Sequence, residues 1–275
     1  MHRLVYVAYG KEEFRVQALY SALSALAHAG EVPFVLHVCT DVPSCFGTIA
    51  DQVVLRSAGP AEVSAWLGPQ NFPLRAKPAV FREFSERYPA DPILLVDSDT
   101  FFVSDVDRVL ARIGPHRAVL WEREYHVATS ETALMCRFRR RMRHAKWHDK
   151  PIRFDVDMWN TGVVGLHPSE ASLISEWLGF VDEVYPRTRR WLLEQFAISY
   201  LLGQSGCAIH GCEDAVVHYW FDKFHHFSAV RAALDCIRGV SLSDTLAFVR
   251  ANPIILPQAR RFGRKSTFFQ RVFGW

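Results

Sequence analysis

The sequence predicts an α/β fold: a mostly parallel sheet flanked by helices, followed by a helical and then basic C-terminal extension. Three observations carry this expectation. Short apolar runs alternate with helix-length segments over the first hundred residues. One of those runs ends on two carboxylates, as a buried strand does where it reaches the ligand-binding edge of an open sheet. No linker-like stretch divides the 275 residues, so one large domain over 1–227 and an extension over 228–275 account for the chain.

Residues 3–9 read as a buried strand. Val16, Leu19, Leu23 and Leu26 follow at helical spacing, with Glu12 and Glu13 at the electropositive first turn and Gly30 as the stop. Val32 to Thr40 is a second strand closed by Asp41-Val42-Pro43, and Gln52 to Leu55 a third. Arg75 to Tyr88 reads as a helix, which Pro89-Ala90-Asp91-Pro92 separates from the strand Ile93 to Val96. Beyond Thr100 the rhythm loosens. Ala118–Trp121 and Gly162–Leu166 read as strands, Ala171–Val184 and Trp191–Leu202 as helices, and Ala215–Trp220 as a last strand.

Composition is that of a soluble globular chain, with 49% hydrophobic and 22% charged residues, so a core of ordinary size is expected. No fixed-period repeat suggests a solenoid or propeller. No apolar run approaches the roughly 20 residues that cross a bilayer. Lys11, Glu12 and Glu13 end the apolar opening before a signal-peptide core forms, so the mature chain is expected to begin near Met1, in the cytoplasm. The six cysteines form no CxxC and are expected to be reduced; Cys207, His210 and Cys212 lack the spacing and fourth ligand of a zinc site. The adjacent His225 and His226 read as structural.

The net charge of +3 is unevenly spread. Residues 137–150 carry seven basic side chains against one acid, and residues 258–275 five against none. In the second segment Arg260, Arg261, Arg264, Lys265 and Arg271 interleave with Phe262, Phe268, Phe269, Phe273 and Trp275. Such a tail suits weak peripheral contact with an anionic membrane face, here the inner one.

The chemistry concentrates in Ile93-Leu94-Leu95-Val96-Asp97-Ser98-Asp99-Thr100. Two carboxylates at i and i+2 repel one another unless a cation lies between them. Oxygen ligands of this kind suit Mg²⁺ or Mn²⁺, ions that in turn bridge phosphate oxygens. Five further segments matter: Val5-Tyr6-Val7-Ala8-Tyr9-Gly10; Arg75-Ala76-Lys77 before the carboxylate strand; Trp159-Asn160-Thr161-Gly162-Val163-Val164-Gly165-Leu166; Leu193-Glu194-Gln195; and Val217-His218-Tyr219.

Taken in order over residues 3–220, this set resembles the GT-A fold glycosyltransferases, and in detail the retaining transferases of family 8, the glycogenin-like group. The resemblance implies a sugar passed from a nucleotide-diphosphate sugar to a glycan, lipid-linked or protein acceptor, with Mn²⁺ or Mg²⁺ as cofactor. By the same resemblance, Tyr9 and Gly10 border the nucleobase and Lys77 meets the nucleotide sugar. Asp97, Ser98 and Asp99 hold the donor, with Asp97, Asp99 and His218 as metal ligands. Asn160 borders the donor sugar, Glu194 and Gln195 the reacting carbon, and Lys223 the diphosphate. Two positions depart from the family pattern. Glutamate replaces the usual aspartate before Gln195, and Tyr219 is followed by Trp220-Phe221-Asp222-Lys223, only half of the usual late motif. Glu194 suits a general base and Gln195 a polar group facing the opposite side of the sugar, and the sequence does not choose between them.

Two rival readings are weaker. A nucleotidyltransferase wants a glycine-rich phosphate loop after the first strand, where Tyr9 to Phe14 offer one glycine and two acids. A nucleic-acid-binding protein would use residues 137–150, but Trp147 is the one obvious stacking aromatic there and no binding module is recognisable. Nucleic acid is therefore not an expected partner.

Overall fold

The protein, seen in a computed structural model, is described over residues 1–254, and the basic aromatic tail singled out above lies outside the described residues. The chain runs through β1 (His2–Ala8), α1 (Glu12–Ala27), β2 (Phe34–Thr40), β3 (Val53–Ser57), α2 (Pro60–Leu67), α3 (Ala76–Arg87), β4 (Ile93–Val96) and β5 (Thr100–Phe102). It continues through α4 (Asp107–Leu110), β6 (Arg117–Leu120), β7 (Arg123–His126), α5 (Ala133–Met142), β8 (Lys146–Trp147), β9 (Lys150–Pro151), β10 (Asp157–Trp159) and β11 (Val163–Leu166). Then come α6 (Ala171–Thr188), α7 (Leu193–Ser205), β12 (Ala208–His210), β13 (Val216–His218), α8 (Lys223–Cys236) and α9 (Leu242–Ala251).

Seven strands form one sheet in the order β12-β6-β11-β4-β1-β2-β3. All its pairings are parallel except those of β11, which lies antiparallel between β4 and β6. The central strands are apolar at nearly every position because both faces are covered. Val5, Leu95 and Val164 point into the core beneath α3, α6 and α7, while Leu4, Tyr6, Leu94 and Val96 point into a second core beneath α1.

Helix α1 departs from the apolar stripe that its leucines suggest. Val16, Leu19 and Leu26 are only half-buried, whereas Ala18, Ser21, Ala22, Ser24 and Ala25 are buried. The small residues let the helix lie close to the strands. The Ser21 hydroxyl meets the Tyr6 and Thr100 hydroxyls at 2.9 Å each, and Ser24 Oγ accepts the Phe102 N–H at 2.9 Å. On the far side α8 and α9 cover it, with Val230, Ile237 and Val249 buried and Arg250 donating to the Ala27 carbonyl at 3.0 Å. Helix α8 begins at Lys223, five residues earlier than the extension expected from sequence, so Lys223 itself belongs to a helix anchored on α1.

Among the described residues three short antiparallel ribbons lie off the main sheet, and two of them position the site. In the first, β13 pairs with β5, setting His218 opposite Thr100. In the second, β10 pairs with β7, with a register shift between Met158 and Trp159. No helix among the described residues is long and apolar enough to cross a membrane.

Candidate active site

Strand β4 ends at Val96 and delivers Asp97, whose N–H donates to the Gly162 carbonyl at 2.8 Å. The chain turns through Ser98, fastened by the Thr100 hydroxyl donating to the Asp97 carbonyl at 2.8 Å, and Asp99 comes to face the same space as Asp97. The β5–β13 ribbon then brings His218 beside them, with the Tyr219 N–H bonded to the Asp99 carbonyl at 3.1 Å. His218 Nε2 lies 3.5 Å from an Asp99 oxygen and 4.0 Å from an Asp97 oxygen. One ligand atom from each of the three residues lies within 4.8 Å of the other two.

The tautomer of His218 follows from its other nitrogen. Asn160 Oδ1 accepts the Gly162 N–H at 2.8 Å, which identifies that atom as the oxygen. His218 Nδ1 stands 2.9 Å from the same oxygen and must therefore carry the proton. Nε2 is the nitrogen turned toward the two carboxylates, so that a divalent cation between them would find two oxygens and one ring nitrogen as ligands. Gly162 makes the approach possible, because a Cβ there would run into the His218 ring. The donor set of two carboxylates and one imidazole nitrogen fits a divalent ion.

Two lysines neutralise the acids. Lys77, on the first turn of α3, reaches Asp97 at 2.7 Å and the Thr161 carbonyl at 3.0 Å. Burial alone would lower its pKa, but Asp97 and Glu194 hold it above the ordinary value. Lys223 reaches Asp99 at 2.8 Å. Burial pushes both carboxyls up; Asp97 stays raised, with the Asp99 charge adding to burial, whereas His218 and Lys223 hold Asp99 well below the carboxylate range.

A second group lines the wall made by β7 and α7. Glu194, in the first turn of α7, is buried; one oxygen accepts from the Thr161 hydroxyl at 3.1 Å and stands 4.0 Å from Lys77. Its other oxygen has no hydrogen-bond partner. Burial, with Asp97 adding and Lys77 and Thr161 opposing, pushes its pKa up to about 7. Beside it, Glu124 on β7 accepts from the Asn160 amide at 2.9 Å and from the Gln195 amide at 2.8 Å. Burial raises Glu124 as well, against those two hydrogen bonds.

These residues surround a cleft of about 370 Å³. Tyr9, Lys77, Asp97, Ser98, Asp99, Asn160, Glu194, Gln195, His218 and Lys223 all line it. Gly10 does not; it turns with φ +83° just outside, its N–H bonded to Asp41 at 2.9 Å. Arg75 faces elsewhere, bonding Asp182 and the carbonyls of Ala65 and Trp66. His226 stacks on Tyr219 with ring centroids 4.9 Å apart, and His225 pairs with Asp222. The reading from sequence passed over Glu124, Tyr125, Thr161 and Trp191, all at the cleft. Glu124 carried a usable signal: it and Glu122 follow the apolar run Ala118–Trp121 as Asp97 and Asp99 follow Ile93–Val96.

No family model matches the chain, and no curated protein matches it. Solved structures do. A galactosyltransferase, LgtC, determined in complex with donor and acceptor sugar analogs, superposes with a TM-score of 0.51 at 13% identity, over 75% of this chain and 72% of that one. Mouse xyloside xylosyltransferase 1, in its apo form, gives a TM-score of 0.48 at 14% identity, over 83% and 93% of the two chains. The chain has a GT-A-like fold, the architecture that the order of its motifs suggested.

Proposed function

We propose that the protein is a glycosyltransferase that takes a sugar from a nucleotide-diphosphate donor with the help of a divalent ion held by Asp97, Asp99 and His218. The observation that carries this reading is the convergence of those three side chains at the carboxyl edge of the sheet, with His218 Nε2 turned toward the acids by the Asn160 bond to Nδ1. When bound, the ion would act as a Lewis acid that offsets charge growing on the departing diphosphate. An imidazole among the ligands favours Mn²⁺ over Mg²⁺.

The chain's own groups divide the remaining work. Lys223 and Lys77 each hold an aspartate here and are the cations within reach of a diphosphate beside those aspartates. Asn160 fixes the imidazole tautomer and ties it through Glu124 to Gln195. With its amide nitrogen committed to Glu124, Gln195 offers its carbonyl oxygen to a ligand. Glu194 offers a buried, unpaired oxygen with a pKa near neutrality, which suits it to accept a proton from, or a hydrogen bond of, a sugar hydroxyl. Tyr9 lies at the end of β1 as the nucleobase wall.

Thermal unfolding with a panel of sugar nucleotides, with and without Mn²⁺, tests the reading. A ligand at a hundred times its Kd stabilises the native state by about 2.7 kcal/mol. At least one sugar nucleotide is expected to raise the Tm of the wild type only when Mn²⁺ is present. A panel in which none does so sinks the proposal.

A further inference from the structure

We propose that the outward face of α5 and the following β8–β9 hairpin is a docking surface for a phosphate-bearing glycan, the anionic part of the acceptor; this rests on the transferase reading above. Helix α5 buries Met135, Phe138 and Met142 against the core and turns Arg137, Arg140 and Arg141 to solvent. Lys146, Lys150 and Arg153 extend the exposed row over the hairpin. Between residues 133 and 154 eight Lys and Arg residues meet one acid, Asp149, in a chain whose net charge is only +3.

Many of the other arginines are paired: Arg3, Arg15, Arg56, Arg75, Arg112 and Arg123 each hold a carboxylate, while Arg87 and Arg189 lie over tyrosine rings and Arg190 bonds the Thr188 carbonyl. Among the described residues, none of these six exposed cations, nor the exposed Arg143 that follows the helix, has a carboxylate within 4.0 Å. The dipole of α5 accounts for basic residues in its last turn, but not for Arg137 or for the row on the hairpin. Clustered like charges repel one another, and a polyanion is the partner that relieves them.

Position says which polyanion. Leu134, in the first turn of α5, lines the cleft together with Glu124 and Tyr125 of β7. At 1.5 Å per residue, Arg137, Arg140 and Arg141 follow Leu134 along the helix by about 5 to 11 Å, within reach of a short oligosaccharide whose end sits in the cleft. Arg139 clamps the helix to that wall through the carbonyls of Val127 and Ser130, at 2.6 and 2.7 Å. The face is poorly suited to bases, because Trp147 packs on Phe180 with centroids 5.1 Å apart. It is equally poor for membrane insertion, since among the described residues the exposed large apolar side chains (Met1, Val54, Trp191, Phe224 and Val240) all lie outside it.

The test uses a multiply phosphorylated maltohexaose, the same glycan after phosphatase, a single-stranded RNA oligonucleotide, and phosphatidylglycerol–phosphatidylcholine vesicles. Binding to each is measured for the wild type and for the triple variant Arg137→Glu/Arg140→Glu/Arg141→Glu. The wild type is expected to bind the phosphorylated glycan at least about tenfold more tightly than the dephosphorylated one, with an advantage that fades as salt rises. The triple variant is expected to lose that preference while keeping the wild-type Tm and the Mn²⁺-dependent response to sugar nucleotide. Equal affinity for the two glycans, or an unchanged preference in the variant, overturns the proposal. RNA or vesicle binding that the variant loses, without any phosphoglycan preference in the wild type, overturns it in favour of that other partner. A wild type with the glycan preference but no response to any sugar nucleotide refutes the transferase reading and the acceptor role with it, so the two failures are told apart.

Discussion

Glu194→Gln is expected to make the protein more stable above neutral pH and much less active. The carboxyl is 1% exposed, and one of its oxygens is buried without a partner. Its pKa stands at about 7 in the folded chain against an ordinary 4.5, so the native state holds this proton more tightly than the unfolded state does. The stability contributed by that proton is complete below 4.5 and is lost as pH rises through about 7. The difference of about 2.5 in pKa, at about 1.4 kcal/mol per pH unit, amounts to about 3 kcal/mol. Glutamine does not titrate, and its oxygen keeps the bond from the Thr161 hydroxyl. Lys77 loses a neighbour at 4.0 Å but retains Asp97 at 2.7 Å. The variant should therefore match the wild type near pH 4.5 and exceed it by about 3 kcal/mol at pH 8. At about 2–4 °C per kcal/mol this is a gap of roughly 6–12 °C in Tm. The assay is thermal unfolding of both proteins across that pH range in EDTA, which keeps metal out of the balance. Transfer at pH 8 should fall by about 10²–10⁴-fold if Glu194 moves a proton. A stability difference independent of pH would refute the argument, as would a variant less stable than wild type at pH 8.

Three further outcomes are expected. Gly162→Ala should displace the His218 ring, leaving the fold intact and weakening Mn²⁺ by about tenfold or more, a lost ligand being the limiting case; a Mn²⁺ titration of Tm superimposable on the wild type would show that the ring has room. Asp99→Asn should abolish Mn²⁺-dependent donor binding, whereas His218→Ala should retain weak binding and lose the preference for Mn²⁺ over Mg²⁺; an unchanged preference would return His218 to a purely structural role. Arg75→Met should cost about 1–3 kcal/mol by freeing Asp182 and two carbonyls, read as a lower urea midpoint at constant m, with sugar-nucleotide affinity unaltered; a large loss of affinity would place Arg75 in the site after all.

Much of the fold and part of the site were legible before any coordinates. Ile93 to Val96 are apolar without interruption because β4 lies inside a sheet covered on both faces, and Asp97 follows because the strand there leaves the core. Strands β1 to β4 and helices α1 and α3 fell within about two residues of where they were expected, because periodicity reports burial, whereas the short helix α2, with Trp66 as its one buried residue, was not foreseen. Helix α1 was harder to read because its outer face is covered by α8 and α9, more than two hundred residues away, which erased the contrast between its sides.

What the sequence determined by itself was the alternation of strands and helices in the amino-terminal half and the presence of a carboxylate pair at the end of one of those strands. What only the tertiary structure decided was the company those carboxylates keep. The β5–β13 ribbon, three residues long on each side, carries His218 across more than a hundred residues to the acids. The β7–β10 ribbon sets Glu124 beside Asn160 and Gln195. Neither ribbon has a periodic signature of its own, because strands of three or four residues leave too few positions for a pattern. The orientation of the His218 ring, the unpaired oxygen of Glu194 and the diversion of Arg75 to Asp182 depend on distances of a few ångströms between remote parts of the chain. Such distances are set by how the whole core packs, which the local order of residues does not encode.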